Sequence, residues 1–292
     1  FNRPLSTFLY ICIGIILFSL YFLTLKLVKS QAISQKTLWK IIFIVTIAGA
    51  LSYNAFSYDL FNYIFDAKII THYHQNPYIH KALDFPTDPM LSFMRWTHRA
   101  YPYGPLWLVV TVPLSFIGSQ IFIITFFLFK ILMGGFFLLT VWSIGKIADS
   151  LKVSKALSIA SFALNPFIII EGLVSAHNDI VMMGFAMSGI YFLLNKEKIK
   201  GSILLAVSIG IKFATALLIL AFFLLWGTKK KEHFLAACLF LMIIAVILAT
   251  LRTTFQPWYL LYLAPFASLI IHKLYVKIPF FILSVGAVSY YI

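Results

Sequence analysis

Lysine clusters break this chain into apolar runs of roughly 14 to 27 residues, and this alternation confines it to helices in a bilayer. Hydrocarbon offers no partner to backbone N–H and C=O groups, so a run at membrane depth must satisfy them internally, as a helix does. Composition agrees: 62% of the 292 residues are hydrophobic, 11% are charged, and the mean hydropathy is +0.96. A soluble domain of this length could not hide so much apolar surface. The expected class is therefore all-α and polytopic, with residues 1–292 forming a single transmembrane domain.

The formal charge of +14 could suggest nucleic acid, but the placement of the charges argues against it. Fifteen of the 23 Lys and Arg residues fall in short connections: Lys26, Lys29, Lys36 and Lys40; Lys146, Lys152 and Lys155; Lys196, Lys198 and Lys200; Lys229, Lys230 and Lys231; Lys273 and Lys277. By the positive-inside bias these connections are cytoplasmic. Asp59, Asp66, Asp84, Asp88, Glu171 and Asp179 occupy the alternate connections, which belong outside. Cys12 and Cys238 lie within apolar runs and read as packing residues.

These anchors set an expected path. Residues 5–28 run inward as a span rather than a cleaved signal, because no small-residue cleavage site follows. Residues 38–56 run outward, 105–118 lie in the interface, 120–145 run inward, 156–170 outward and 180–194 inward. Residues 201–227 have lysines at both ends and should form a hairpin with its tip near Lys212. Residues 234–251 run outward, 258–271 inward and 278–292 outward, which makes about eight full spans plus the hairpin. The start at Phe1, without a methionine, leads us to expect a piece of a longer protein.

Three outer connections then converge. The first is the polar segment 57–103, with Tyr58, Asp59, Asn76, Tyr78 and Tyr103. The second carries Glu171, His177, Asn178 and Asp179, and the third Arg252, Gln256 and Trp258. Ser57-Tyr58-Asp59 with Asn76-Pro77-Tyr78, Tyr103-Gly104-Pro105, Asn165-Pro166 with His177-Asn178-Asp179, and Gln256-Pro257-Trp258-Tyr259-Leu260-Leu261 follow one another across about residues 50 to 265. In order and spacing this set resembles the bacterial polyprenyl-phosphate-mannose-dependent mannosyltransferases of the GT-C superfamily. The resemblance implies transfer of a sugar, mannose, from a polyprenyl-phosphate donor to a glycan or glycolipid acceptor at the outer face of the cell membrane. It also implies a base in the first large outer loop, the place of Asp59. The chain departs from the pattern in having fewer expected spans than many relatives.

The residues support this chemistry by themselves. Sugar transfer from a phosphate needs a base for the acceptor hydroxyl and cations for the departing phosphate. Asp59 is the candidate base, with helix capping as its alternative role. Arg252, Lys212 and Lys130 are candidates for the carrier phosphate, since a lysine inside a span usually faces a cavity or a partner. Snorkelling of Lys130 and a helix end at Lys212 are the plainer readings. Tyr58, Asn76, Tyr78, Tyr103, Glu171, His177, Asn178, Asp179, Gln256 and Trp258 are candidates for substrate binding. Asn178 and Asp179 could equally cap a helix, and Trp258 could belong to an interfacial aromatic belt. His72, His74, His80 and His98 invite a metal reading, but the i, i+2 pair does not share a helix face, and neither metal nor cofactor is expected. A transporter or flippase of a lipid-linked or polar substrate is the competing class, since buried lysines and broken helices also mark substrate pathways. Glycoside hydrolysis fits less well, because Asp59 and Asp66 would stand about 10.5 Å apart along a helix.

Overall fold

The computed structural model describes residues 3–225 and 231–292; Lys229 and Lys230 of the fourth lysine cluster, and the end of the expected hairpin at 226–227, lie outside the described residues. Every regular element among the described residues is helical. Helix α1 (Arg3–Lys29) exposes Leu5, Phe8, Ile13, Ile16 and Leu20 on several faces, which a helix tolerates only in an apolar solvent. Ser34 starts α2 (Gln35–Leu51), its Oγ accepting from the Thr37 amide at 3.1 Å.

Helix α3 (Asp59–Thr71) follows and is buried along most of its length, with Asp59, Asn62 and Asp66 on the face that lines a cleft. The segment after it is held by Asp88, which accepts from Tyr73 Oη at 2.7 Å and pairs with Lys68 at 2.5 Å. Lys68 and its neighbours outweigh the effect of burial and keep the Asp88 carboxyl below its usual range. Helix α4 (Pro105–Ile117) has 13 residues, too few for a full crossing. The Gly104 at its head lies against the backbone of Gly210, where a Cβ would collide with the Gly210 carbonyl.

Helix α5 (Phe122–Leu151) is the longest element, at 30 residues. After it the chain breaks where Asn165-Pro166 divides α6 (Lys155–Ala163) from α7 (Pro166–Ile169), which runs into a π-helical turn, Ile170–Val174. The two halves are bent by 56°. Proline removes an i→i−4 donor and pushes the residue before it out of the helical region, while Asn165 Oδ1 caps the new start at the Phe167 amide, 3.1 Å away. Helix α8 (Asp179–Leu194) packs on α5 and on α9 (Lys198–Ile211); Gly189 and Gly201 permit backbone contact, since a Cβ on Gly201 would strike the Gly189 carbonyl and Leu193.

At Lys212 the backbone is extended, φ −152° and ψ 125°, before a 3-10 turn (Phe213–Leu217) and α10 (Leu218–Leu225). This break falls where the hairpin tip was expected. Helix α11 (Lys231–Arg252) comes next. The expected inward span 258–271 is not one helix: a 3-10 turn (Pro257–Tyr262) gives way to the six-residue α12 (Ala264–Leu269), with Pro257 and Pro265 each withholding a backbone donor. Helix α13 (Leu274–Ser289) ends the fold.

Among the described residues three helices are long and apolar enough to cross a membrane, or four if the bent pair is one span; α2, α8 and α13, which fall on runs expected to span, have 17, 16 and 16 residues and are short for a full crossing. Asp59 at the end of the 51–59 connection and the connections at 211–213 and 252–257 line this one cleft, and the 174–179 turn is buried beside Asp59 outside that lining. In the sequence the lysine clusters at 26–40, 146–155, 196–200, 229–231 and 273–277 alternate with the connections at 51–59, 174–179, 211–213 and 252–257.

Candidate active site

Asp59 is the first residue of α3, and the end of a helix dipole favours its carboxylate there. The capping position itself belongs to Tyr58, whose side chain makes no capping bond, and Ser57 Oγ accepts from the Asp59 amide at 3.2 Å. The Asp59 oxygens are engaged across the fold. Oδ1 accepts from the Trp96 indole at 3.0 Å, and Oδ2 lies 3.4 Å from His177 Nδ1. Burial alone would raise its pKa, but His177, Lys212 and Trp96 outweigh this and hold it below the ordinary 3.8.

His177 is fully buried between two carboxylates. Its Nε2 is 3.2 Å from Glu171 Oε2, and the ring lies flat on Trp258, centroids 4.1 Å apart at 19°. These are ion-pair distances at which neither ring N–H is aligned for a hydrogen bond. Burial works against the imidazolium, yet the two carboxylates win and raise His177 from 6.5 to about 9. Glu171 Oε1 accepts from Tyr291 Oη at 2.8 Å, so a residue just past α13 (Leu274–Ser289) packs behind the site.

A second pair lies beside the first. Lys212 Nζ is 2.7 Å from Asp179 Oδ1 and donates to Asn178 Oδ1 at 3.3 Å, and Tyr63 Oη donates to the same Asn178 oxygen at 3.3 Å. Asp179 is the first residue of α8 and wholly buried, and Lys212 meets it from the extended break that ends α9.

In front of these groups opens a cleft of about 550 Å³. Asp59, Tyr103, Lys212, Arg252, Gln256 and Trp258 line it. Phe213, Leu217, Ala245 and Leu248 give it an apolar side. Glu171, His177, Asn178 and Asp179 are buried outside its lining. Tyr58 and Asn76 are exposed away from it; Asn76 Oδ1 caps the Tyr78 amide at 2.9 Å, and Tyr78 Oη donates to the Tyr103 carbonyl at 3.1 Å. Lys130 is also apart from the cleft: its ammonium donates to the Leu173 and Val174 carbonyls at 2.5 and 2.9 Å, taking up the carbonyls of the π turn.

Four further residues line the cleft: Asn62, Trp96 and Arg99, which were not site candidates from the sequence, and Asp66, which was weighed there only as a hydrolase partner of Asp59. The Arg99 guanidinium sits 4.0 Å from the centre of the Trp96 ring, holding the indole that binds Asp59. Asn62 and Asp66 follow Asp59 at helical spacing and were the more legible of the four. No group of three or more metal-ligating side chains forms among the described residues, and His80 pairs with Asp84 at 3.4 Å.

A family profile described as "Alpha-(1->6)-mannopyranosyltransferase, N-terminal domain" matches residues 2–228, well over half of the chain. The chain belongs to this family. It is 29% identical over 162 residues to alpha-(1->6)-mannopyranosyltransferase A of Corynebacterium glutamicum, covering 55% of this chain and 33% of that one. To the protein of the same name from Mycobacterium tuberculosis it is 30% identical over 162 residues, covering 52% and 31%. The chain thus spans about a third of the curated relatives it matches. No solved structure matches it. The stretch matching the mannopyranosyltransferase family contains Asp59, His177 and Lys212, while Arg252, Gln256 and Trp258 lie beyond it.

Proposed function

We propose that this chain moves a mannosyl residue from a polyprenyl-phosphate carrier to a hydroxyl of a glycan or glycolipid at the outer membrane face, with Asp59 as general base. The supporting observation is one cleft that holds an ionised carboxylate, three cations and an apolar side. As the acceptor oxygen bonds to the anomeric carbon, its proton passes to Asp59. The bond from that carbon to the phosphate oxygen breaks, and the phosphate keeps the electron pair beside Lys212 and Arg252. A carboxylate with a lowered pKa is a weak base, but a hydroxyl bonding to an oxocarbenium-like carbon becomes strongly acidic, so proton transfer late in the step suits Asp59. The guanidinium of Arg252 matches phosphate oxygens in a fork, and the apolar side suits the first isoprene units. The alternation of lysine connections with cleft connections supports the outward orientation.

The test is transfer by the protein in nanodiscs, given radiolabelled polyprenyl-phosphate mannose and a mixed glycolipid extract. Label appearing in an acceptor is expected. Donor binding with label crossing a sealed bilayer, and no acceptor labelled, would favour a lipid transporter instead.

A further inference from the structure

Asp59, Asn62 and Asp66 stand at i, i+3 and i+7 on α3, so one face of the helix presents all three to the cleft. The two residues beyond Asp59 are not explained by the fold. Asp66 is only 8% exposed and has neither a hydrogen-bond nor an ion-pair partner among the described residues. Asn62 Nδ2 donates to the Trp96 carbonyl at 3.3 Å, but its Oδ1 is buried without a partner. Unpaired polar atoms at such burial are costly, and cleft-lining ones are commonly completed by a ligand.

We propose that Asn62 and Asp66 form the subsite for the acceptor sugar, holding hydroxyls of a hexopyranoside while another hydroxyl of that sugar faces Asp59. This rests on the reading of Asp59 as base: the ring that delivers a hydroxyl to it must lie against the same helix face, and the row continues for about 10.5 Å along the axis. A donor phosphate belongs instead with Lys212 and Arg252, on the α9 break and α11. A divalent cation fits poorly, because carboxylates two turns apart cannot both reach an ion at about 2.3–2.6 Å. Burial, and then the charge of Asp59, push Asp66 up from 3.8 to about 8, so at neutral pH it is a carboxylic acid that both donates and accepts, as a sugar diol requires. Asp59 on α3, Tyr101 and Tyr103 ahead of α4, and the cleft cations Arg99, Lys212 and Arg252 are the titratable and charged groups around it.

The test titrates the full chain in detergent with α-mannobiose, followed by tryptophan fluorescence, for wild type, Asp66→Ala, Asn62→Leu and Asp66→Asn. Separate titrations use the lipid-phosphate donor. Asp66→Ala and Asn62→Leu should each weaken mannobiose binding by about tenfold, with Asp66→Asn within about threefold of wild type and donor affinity unchanged throughout. In a transfer assay the same loss should fall on the acceptor KM and not on kcat. Unchanged mannobiose affinity in Asp66→Ala and Asn62→Leu, no mannobiose binding by wild type, or a matching loss of donor affinity would overturn the subsite. Asp66-dependent mannobiose binding by a chain that transfers no label would leave the subsite standing and remove the transferase reading alone.

Discussion

The turn at residues 170–179 and the wall made by residues 59–66 with 96–103 both bring polar side chains to Asp59, but the first is sealed and the second is open. In the turn, Glu171, His177 and Asp179 are wholly buried, each with a countercharge within the protein: Glu171 and His177 with each other, Asp179 with Lys212. On the wall, Asp66 and the Asn62 oxygen have no such partner among the described residues, and Trp96 and Arg99 border open space. Buried ion pairs hold a geometry more than they add net stability, whereas unfilled polar groups in a cleft are free to take a ligand. On the proposed function, the turn would fix the position and charge of Asp59 and the wall would contact substrate.

The largest effect expected outside catalysis comes from emptying the turn. His177→Leu leaves the Asp59 and Glu171 carboxylates without their shared cation and should cost about 3–5 kcal/mol, read as a lower thermal midpoint in detergent. An unchanged midpoint would erase the distinction between the two regions. The pH dependence sharpens it. Folding raises His177 from 6.5 to about 9, so its contribution to stability is complete below 6.5 and is lost as pH rises through about 9. Stability of wild type should fall across that window, and a His177→Gln variant should lack this component.

Smaller effects belong to the wall and its rim. Arg252→Ala should weaken binding of the lipid-phosphate donor by about ten- to a hundredfold, the range for a hydrogen bond to a charged group, with little change in thermal midpoint. Trp96→Phe removes one donor to Asp59 on the open side and should slow transfer by roughly fivefold. Tyr58, exposed and outside the cleft, is the control: Tyr58→Ala should stay within about 0.5 kcal/mol in stability and leave transfer unchanged.

The helical class was legible because apolar run length and lysine placement are local signals. Residues 5–28 fall within α1, the short run at 105–118 corresponds to α4, and the chain breaks at Lys212. What the sequence hid depends on partners far along the chain. The π turn at 170–174 is held by Lys130 from α5, which on hydropathy alone reads as a membrane lysine seeking a phosphate. Residues 258–271 are as apolar as a span, but their neighbours are other helices, and two prolines divide them. Apolarity does not distinguish lipid from a protein interior. Likewise, Asp59 could be marked as a candidate by its place after the second helix, while its contacts with Trp96 and His177, 37 and 118 positions away, come from the tertiary fold alone.

The central claim is that Asp59 acts on the acceptor proton and not on donor binding. The most direct measurement is single-turnover transfer by wild type and Asp59→Asn, each saturated with labelled polyprenyl-phosphate mannose before acceptor is added. The account predicts equal donor binding and a transfer rate lower by about 10² to 10⁴ in the variant. Equal rates in the two proteins would contradict it.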